Sequence, residues 1–598
     1  MHPILIPFVI AAIFLLLDKK KRIFGWIGCA FLFVGFILYV FSFLANDFTL
    51  KEVFMHSSRD LNPLFKLSAS WAGSGGFIIW WLFVFSFIAM LRRFKTFYYN
   101  LWIVGLLFVA IINGAFDSLD FVPQNGIGLN PLLKSIWMLL HPPASFVGYA
   151  LGLLIAIDAF SGKENRTAIG ITWFFITLAN VLGGVWSYFT LGWGGYWAWD
   201  PVETALLLPW LSLTAYFHSK ERYLLYLTGF SVVFAAFVTR GGISPLHGFA
   251  INSAGFAILL LGVPFLIKVF RDFDIKFDWN PMKIATYSLL GSYLVCFAGL
   301  IYQLAFTILG ERVDVSVDYY NFANMPFIVS LLSVLPICGS KIRNYTKILA
   351  TVYGVSFFLT ALTFMGYINW CEDAPLHVNA AVSFILPIAL FSFGTLLSLK
   401  GVDLKVIHFS LALLVISTSI SWPYAYYGDY APLDVQIVST EFHEPEGSVF
   451  FKGIEIPEES YEVVKMQANG RIIEAKIRLN LVNLISGKDF ILSEPVVISS
   501  GLDDYYLIVP NFHAYDLFMF TSKYLYENGE THLLMIIANI MGIDYDKFVK
   551  IIEEWEPTGE VSVIYKRIPL INLLWISCTL LLFGEILAML ARWRKCSR

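Results

Sequence analysis

Apolar runs of about twenty residues recur from the first residue to about residue 420, and they restrict the fold of this chain more than any other feature. A helix of that length spans the hydrocarbon core of a bilayer, which is about 30 Å thick. Only 14% of the 598 residues are charged. The sequence therefore predicts a polytopic, all-α membrane protein. We expect about fifteen transmembrane helices, with centres near residues 10, 35, 84, 107, 147, 178, 211, 232, 260, 295, 331, 359, 389, 414 and 580.

The loops between these segments alternate in their content of Lys and Arg. One set of loops holds 24 basic residues, whereas the short loops between them hold six. Basic residues accumulate in cytoplasmic loops, so the first set is expected to face the cytoplasm. The basic cluster at 19–22 follows the first apolar run, which is the reverse of a secretory signal peptide. This pattern predicts a retained first helix, an N-terminus outside and a C-terminus in the cytoplasm.

Residues 422–568 interrupt this pattern with a polar, acidic stretch of 11 Lys and Arg against 23 Asp and Glu. Alternation of apolar and polar residues over 461–485, around Asn469-Gly470, predicts a β-hairpin with a primed turn. We expect an extracytoplasmic domain that is mostly β, with a helical insertion near 530–556. It would follow a transmembrane core at 1–421 and precede a final anchoring helix and basic tail at 569–598.

The six cysteines contain no Cys-x-x-Cys and no Cys-x-x-Cys-His spacing. The sequence therefore gives no support for a disulfide framework, a thiolate zinc site or haem bound covalently to this chain. We interpret the cysteines as small apolar residues at helix interfaces.

The stretch LGWGGYWAWDPVE, residues 191–203, gathers Trp193, Trp197 and Trp199 beside three glycines. Indole rings offer a flat apolar surface for a planar ligand such as haem, and glycines let that ligand approach the backbone. The alternative is an aromatic belt at the membrane interface, where Trp and Tyr are enriched. A belt scatters its rings over many helices, whereas this loop collects them, which favours a platform for a ligand.

Four histidines form two pairs at two predicted depths. His141 and His247 fall near the outer surface, and His218 and His408 lie within a few residues of cytoplasmic basic loops. Ionisable side chains in membrane segments mark functional sites by default, and imidazole is a common axial ligand of haem iron. An interhelical hydrogen bond would explain one such histidine alone. Matching depths on separate helices favour two ligand pairs, with Arg240 as a candidate partner of a haem propionate.

Two carboxylates, Asp200 and Glu203, close the tryptophan-rich loop. They have the spacing of a capping box, with Asp in place of Ser or Thr, which favours a structural role at the start of the next helix. General acid–base chemistry and support of a ligand are the alternatives.

The loop sequence WGGYWAWDPVE resembles the WWD signature of haem-handling proteins in cytochrome c maturation. Residues 126–150, GIGLNPLLKSIWMLLHPPASFVGYA, are similar to a motif of the CcmF branch of that family. WDPVETALLLPWLSLTAYFHS, TRGGISPLHGFA and VDYYNFANMP continue the likeness in the same order. The chain thus resembles the CcmF-type cytochrome c haem lyases over nearly its whole length.

The resemblance implies an external haem platform, two external axial ligands for a haem in transit, and two transmembrane ligands for a resident haem b. The platform residues are Trp193, Trp197, Trp199 and Asp200. The external ligands are His141 and His247, and the transmembrane ligands are His218 and His408. The haem in transit is the substrate, whereas the resident haem is a cofactor.

The activity implied is a haem lyase of the cytoplasmic (inner) membrane, with its active site on the extracytoplasmic face. Haem would come from the chaperone CcmE and be joined to the Cys-x-x-Cys-His of an apocytochrome c, presented by thiol-handling partners of the CcmH and CcmI type. The resident haem would relay electrons from a reductant such as quinol, so the chain would also act as a quinol:haem oxidoreductase. No nucleic-acid partner is expected.

The sequence departs from the family in one motif. Tryptophan followed by Gly-Gly-His-Glu-Gly-Ser is replaced here by WAGSGGF at 71–77, which lacks the histidine and the glutamate. Two other functions remain as alternatives: a related protein that transports haem or loads the chaperone, and a secondary transporter with proton-binding histidines.

Overall fold

A computed structural model gives the fold of the chain. It describes all residues except 93–96, 131–132, 191–194, 242–252, 275–277, 310, 312, 340–343, 396–398, 400, 429–434, 446–447, 452–453, 458, 469–470, 487–490, 510–513, 559–562 and 597–598.

The helices between Leu5 and Tyr426, together with the helix Ile571–Cys596, form a bundle, and most of them share one large apolar core. The helices in chain order are α1 Leu5–Leu17, α2 Ile23–Leu44, α3 Lys51–His56, α4 Pro63–Ala69, α5 Ser74–Leu91, α6 Tyr98–Ile112, α7 Ile136–Phe160, α8 Arg166–Thr190, α9 Pro201–Ser219, α10 Tyr223–Arg240, α11 Val263–Asp272, α12 Pro281–Ile308, α13 Val317–Gly339, α14 Tyr345–Phe364, α15 Leu376–Thr395, α16 Val402–Tyr426 and, after the β region, α21 Ile571–Cys596.

Among the described residues, eleven helices are long and apolar enough to cross a membrane. A helical element lies at every one of the fifteen predicted centres, but α1 and α6 are shorter apolar helices of 13 and 15 residues. The chain is therefore a multi-pass membrane protein of predominantly helical fold. The count of fifteen spans and their orientation stay predictions.

The segment centred near residue 260 is not the single α-helix that the hydropathy predicts. The structure has a 3-10 helix at Ser253–Leu261 followed by α11, which begins at Val263. Pro264 lies in the first turn of α11, where its missing N–H and its ring are tolerated. A continuous α-helix would place that ring against the preceding turn, so the helix restarts at Gly262.

The region between α16 and α21 is built from strands with a helical part. Its strands are β1 Val435–His443, β2 Ser448–Phe451, β3 Ile454–Pro457, β4 Glu459–Ala468, β5 Arg471–Asn480, β6 Ile491–Ser493, β7 Val496–Ser500, β8 Asp503–Ile508 and β9 Ile564–Ile568. Its helices are α17 Leu481–Ile485, α18 Ala514–Glu527, α19 Thr531–Ile540 and α20 Tyr545–Glu554. The sheet orders are β1-β4-β5-β6, β2-β3 and β7-β8-β9, and every pair is antiparallel.

The predicted hairpin is present, because β4 and β5 pair from Glu459 opposite Asn480 to Ala468 opposite Arg471. The turn at 469–470 lies outside the described residues. The helical part begins at Ala514, earlier than the predicted 530, because α18 carries an apolar face that packs on β4 and β5. Aromatic residues made that stretch ambiguous between strand and helix.

The β7-β8-β9 sheet contacts the helical bundle directly. The hydroxyl of Tyr188 on α8 donates to Asp504 Oδ2 at 3.0 Å, and the hydroxyl of Tyr506 donates to the carbonyl of Tyr188 at 2.8 Å. This buried junction fixes the sheet against the end of α8 that leads into the tryptophan-rich loop.

Candidate functional site

His218 near the end of α9 and His408 in the second turn of α16 line the same cavity. This histidine-side cavity has a volume of about 520 Å³, and residues from α8, α9, α12, α13, α16 and α21 form its walls. Its size falls within the range of cofactor pockets, about 300–1,000 Å³. The two histidines paired by predicted depth are thus brought together.

Both histidines are held in the same tautomer. Nδ1 of His218 lies 2.8 Å from the carbonyl oxygen of Thr214, and Nδ1 of His408 lies 2.8 Å from that of Leu404. A carbonyl oxygen only accepts, so Nδ1 carries the proton in each ring and the lone pair is on Nε2. An Nδ1–H bound to a backbone carbonyl is the usual support of a metal-ligating imidazole. The donor set and the apolar cavity fit a haem held by two histidines.

A second cavity lies next to the first, on the side of the tryptophan-rich loop. This tryptophan-side cavity has a volume of about 360 Å³. Trp197 and Trp199 line it together with Tyr196, Trp422, Tyr426 and Trp575. Trp199 and Trp210 line both cavities, so they form part of the wall between them.

Trp199 is fixed on three sides. Its ring stacks on Tyr320 at 4.9 Å and 11°, its Nε1–H donates to Asn321 Oδ1 at 2.9 Å, and its carbonyl accepts from Thr204 Oγ1 at 3.1 Å. Its φ of +56° lies in the left-handed region, which is rare for a residue with a bulky side chain. Tyr320 and Asn321 belong to the VDYYNFANMP stretch, for which the sequence suggested no role. The structure assigns them the task of orienting this indole.

Asp200 is the N-cap of α9. Its Oδ1 accepts from the backbone N–H of Val202 at 2.8 Å, and Glu203 Oε2 accepts from the N–H of Ala198 at 2.9 Å. Both carboxylates therefore bind backbone donors at the start of α9, as the capping interpretation predicts. These bonds hold the Trp197–Trp199 turn against the helix.

His141 packs against α8, the helix that also lies next to this turn. Its Nδ1 donates to the carbonyl of Ala179 at 2.9 Å, which again leaves the lone pair on Nε2. Two adjacent glycines of α8 leave space for these side chains. A β-carbon at Gly183 would lie 3.0 Å from His141 Cε1, and one at Gly184 would lie 4.0 Å from Trp197 Cε3. His141 and the tryptophans thus flank one backbone segment.

His141 lies in the second turn of α7, not at its start. Helix α7 begins at Ile136, where the Ser135 hydroxyl accepts from the N–H of Trp137 at 3.3 Å. Pro142 and Pro143 are therefore interior residues of α7. The serine cap supplies a start signal that the two prolines obscured in the sequence.

Arg240, at the end of α10, is buried beside the degraded motif at 71–77. Its guanidinium donates to the carbonyls of Ala72 at 2.8 Å and Trp71 at 3.2 Å, and it stacks on Phe77 at 4.6 Å. It immediately precedes 242–252, a segment outside the described residues that contains His247. Of the predicted site residues, Trp193 and His247 are the two that the structure does not describe.

Glu52 on the short helix α3 completes this buried cluster, and no sequence motif indicated its role. Its Oε1 accepts from the N–H of Gly75 at 3.0 Å, so it caps α5 from another element. Burial raises its pKa from 4.5 to about 7, although the backbone bonds and the nearby Arg240 lower it. A β-carbon at Gly73 would lie 2.0 Å from Glu52 Oε2. The carboxylate occupies space that glycines in WAGSGGF leave open.

The chain is similar to known proteins of cytochrome c assembly. Residues 67–241 match the family model of the cytochrome C assembly proteins. The solved structure of a cytochrome c haem lyase CcmF has the same fold, with a TM-score of 0.59 over 98% of both chains at 16% identity.

Several curated proteins of cytochrome c biogenesis are also similar to this chain. The chain is 28% identical to the cytochrome c-type biogenesis protein NrfE of Haemophilus influenzae over 59% of this chain and 65% of that protein. It is 28% identical to CcmF of Escherichia coli over 68% of this chain and 73% of that protein, and 29% identical to CcmF of Pseudomonas aeruginosa over 60% and 64%. The chain thus spans about two thirds of these relatives. The matches support a CcmF-type cytochrome c maturation protein, as the motifs predicted.

Proposed function

We propose that the chain is a haem lyase that attaches haem to apocytochrome c and carries a resident haem b. The observation that carries the proposal is the shared cavity of His218 and His408, with Nδ1 of each ring bound to a carbonyl. Those two imidazoles would hold its iron. The resident haem would supply reducing equivalents, with a membrane-soluble hydroquinone as the electron donor.

The substrate haem would dock on the tryptophan side. Trp197 and Trp199 line the tryptophan-side cavity with their ring planes at 87°, so one indole would meet a planar macrocycle with its face and the other with its edge. The contacts with Asn321 and Tyr320 keep Trp199 from rotating. His141 presents an imidazole of defined tautomer against the same segment of α8 that Trp197 approaches. We assign His247 as the second external ligand and Arg240 as a propionate partner once the guanidinium is released from Trp71 and Ala72. Trp193 would extend the platform.

The contribution of this chain to catalysis is orientation. Holding the haem in register with an incoming Cys-x-x-Cys-His peptide converts a bimolecular encounter into an effectively unimolecular step. When bound, the haem supplies the vinyl groups to which the cysteine thiols add. The partners in this proposal are CcmE as haem donor, CcmH- and CcmI-type proteins as presenters of the thiols, and the apocytochrome c as acceptor, on the extracytoplasmic face of the cytoplasmic membrane.

Cytochrome maturation in a strain that lacks its own lyase tests the proposal. The chain is expressed together with CcmE and the thiol-presenting partners, and covalent haem on a reporter cytochrome c is measured by haem stain. We expect attachment with the wild type and at least a tenfold loss in H141A and H247A, with the spectrum of the resident haem unchanged. H532A, an exposed histidine on α19, is the control. Full maturation in both H141A and H247A would contradict the proposal.

A further inference from the structure

Glu585 on α21 is an acidic side chain within the hydrophobic bundle that the proposed reaction does not use. Only 1% of the residue is exposed, and it lines the histidine-side cavity together with His218 and His408. Its Oε2 has no hydrogen-bond partner among the residues that the structure describes. An ionised carboxylate without a partner in such a place is costly, so a function is the default interpretation.

The other oxygen of this carboxyl group meets a hydroxyl that can serve both protonation states. Thr177 Oγ1 on α8 lies 2.7 Å from Glu585 Oε1 and 2.9 Å from the carbonyl oxygen of Trp173, and it accepts from Trp210 Nε1–H at 3.0 Å. The hydroxyl carries one proton and has two acceptors within hydrogen-bond distance, Glu585 Oε1 and the carbonyl oxygen of Trp173. It donates to Glu585 when the carboxylate is ionised. When Glu585 is protonated, the acid can donate to Thr177, whose own proton turns to Trp173.

We propose that Glu585 takes up one proton each time the cofactor held by His218 and His408 is reduced. This inference rests on the resident haem of the proposed function. Reduction from ferric to ferrous removes one positive charge from the cavity, and the negative carboxylate then loses a favourable interaction. In a low-dielectric wall, the neutral acid becomes the favoured form. The Thr177 hydroxyl permits that change without breaking the hydrogen-bonded structure.

The balance of the step is simple. Glu585 gains one proton as the iron gains one electron, and a membrane-soluble hydroquinone supplies both. One hydroquinone serves two successive rounds: the first leaves a neutral semiquinone, and the second converts that semiquinone to the quinone. The proton passes from Glu585 to the aqueous phase when the electron passes on to the substrate haem. The cavity therefore has the same net charge before and after reduction.

Other titratable side chains line the cavity and have to be distinguished from Glu585. They are His218 from α9, Lys220 at the C-cap of α9, Cys296 from α12, and Asp403 and His408 from α16. From α8 the group that faces Glu585 is Thr177, which does not titrate. Asp403 is the only other carboxylate among the described residues of this wall, so it provides the matched control.

The test is an optical redox titration of the purified full-length protein between pH 5.5 and 9. We expect the wild-type midpoint potential to fall by up to about 59 mV per pH unit over part of this range, which is the value for one proton per electron. E585Q keeps the shape and hydrogen bonds of the side chain, and its potential is expected to be independent of pH while its spectrum is unchanged. D403N is expected to keep the slope.

T177V provides a second readout that does not remove the carboxyl group. The ionised form of Glu585 loses its hydrogen-bond donor in this variant and is therefore less favoured. The pH range over which the midpoint potential changes should move up by about one to two units. A pH-independent wild-type potential, or a slope that persists in E585Q, overturns the inference and leaves the haem site standing. A wild type without haem overturns the proposed function and this inference together.

Discussion

His218 and His408 use the same hydrogen bond to face one cavity. Each donates Nδ1–H to the carbonyl four residues earlier in its own helix, at 2.8 Å in both cases. The helix backbone therefore sets the ring orientation, and no second side chain is needed. The two helices that carry them, α9 and α16, are separated by almost two hundred residues of sequence, and the cavity wall is where they meet.

Variants of Asp200 distinguish a helix-capping role of this carboxylate from a role in proton transfer. D200N keeps an oxygen that accepts from Val202 N–H, so we expect near wild-type cytochrome maturation. D200A removes the cap and should lower the stability by about 1 kcal/mol. Maturation assays and thermal unfolding of the purified variants check this. Loss of maturation in D200N at normal stability would instead favour acid–base chemistry at this carboxylate.

Trp199 and Asn321 should act as one unit. W199F removes the Nε1–H and N321A removes its acceptor, so each variant loses the same hydrogen bond. At about 1 kcal/mol for such a bond, each should reduce maturation about fivefold, and the double variant should be no worse than either single one. The amount of reporter cytochrome with covalent haem is measured in the wild type, the two single variants and the double variant. Multiplicative losses would show that the two side chains act independently.

The motif at 71–77 makes a third prediction through Gly73. A β-carbon there would meet Glu52 Oε2 at 2.0 Å and His56 Nε2 at 2.6 Å, which are side-chain atoms. G73A should therefore destabilise the protein by about 1–3 kcal/mol, and E52A should restore part of that loss. At Gly75 a β-carbon would lie 2.4 Å from the backbone Cα of Ala115 and 2.7 Å from Glu52 Oε1, so E52A should rescue G75A less than it rescues G73A. Thermal unfolding of G73A, G75A and the two double variants G73A/E52A and G75A/E52A measures the stability regained at each site. Equal recovery of stability at both sites would contradict the geometry.

Glu52 also predicts a pH dependence of stability. Its pKa in the folded protein is about 7, above the ordinary 4.5, because burial favours the neutral acid. The folded state then binds this proton more tightly than the unfolded chain does, so the stability contribution is full below about pH 4.5 and declines until about pH 7. The loss is up to about 3 kcal/mol. The melting temperature of E52Q relative to the wild type should therefore rise across this range. A constant difference would contradict a shifted pKa.

The fold was predictable from local patterns where one physical rule dominated. The apolar runs predict the helices because a bilayer demands about twenty apolar residues, and the alternation over 461–485 predicts the β4–β5 hairpin. The prediction was wrong where two local signals competed. Pro264, inside the apolar run near residue 260, breaks that segment into a 3-10 helix and α11.

The candidate site was predictable only in part. Charges in the loops predict that His218 and His408 lie at one depth along the membrane normal, but they do not predict which helices are neighbours. In the structure both side chains line one cavity. Contacts across the sequence leave no such pattern. Thr177 and Glu585 are 408 residues apart, and Arg240 meets Ala72 across 168 residues. Those pairings depend on how the helices pack, which hydropathy does not encode.

The reduced spectrum of the double variant H218A/H408A, with pyridine extraction of the purified protein, tests the central claim most directly. We expect the wild type to show a b-type haem spectrum that accounts for about one haem per chain. We expect the double variant to lose it while still eluting as a folded protein, and H532A to retain it. A full b-type spectrum in H218A/H408A would contradict the assignment of these two imidazoles as the ligands of a resident haem.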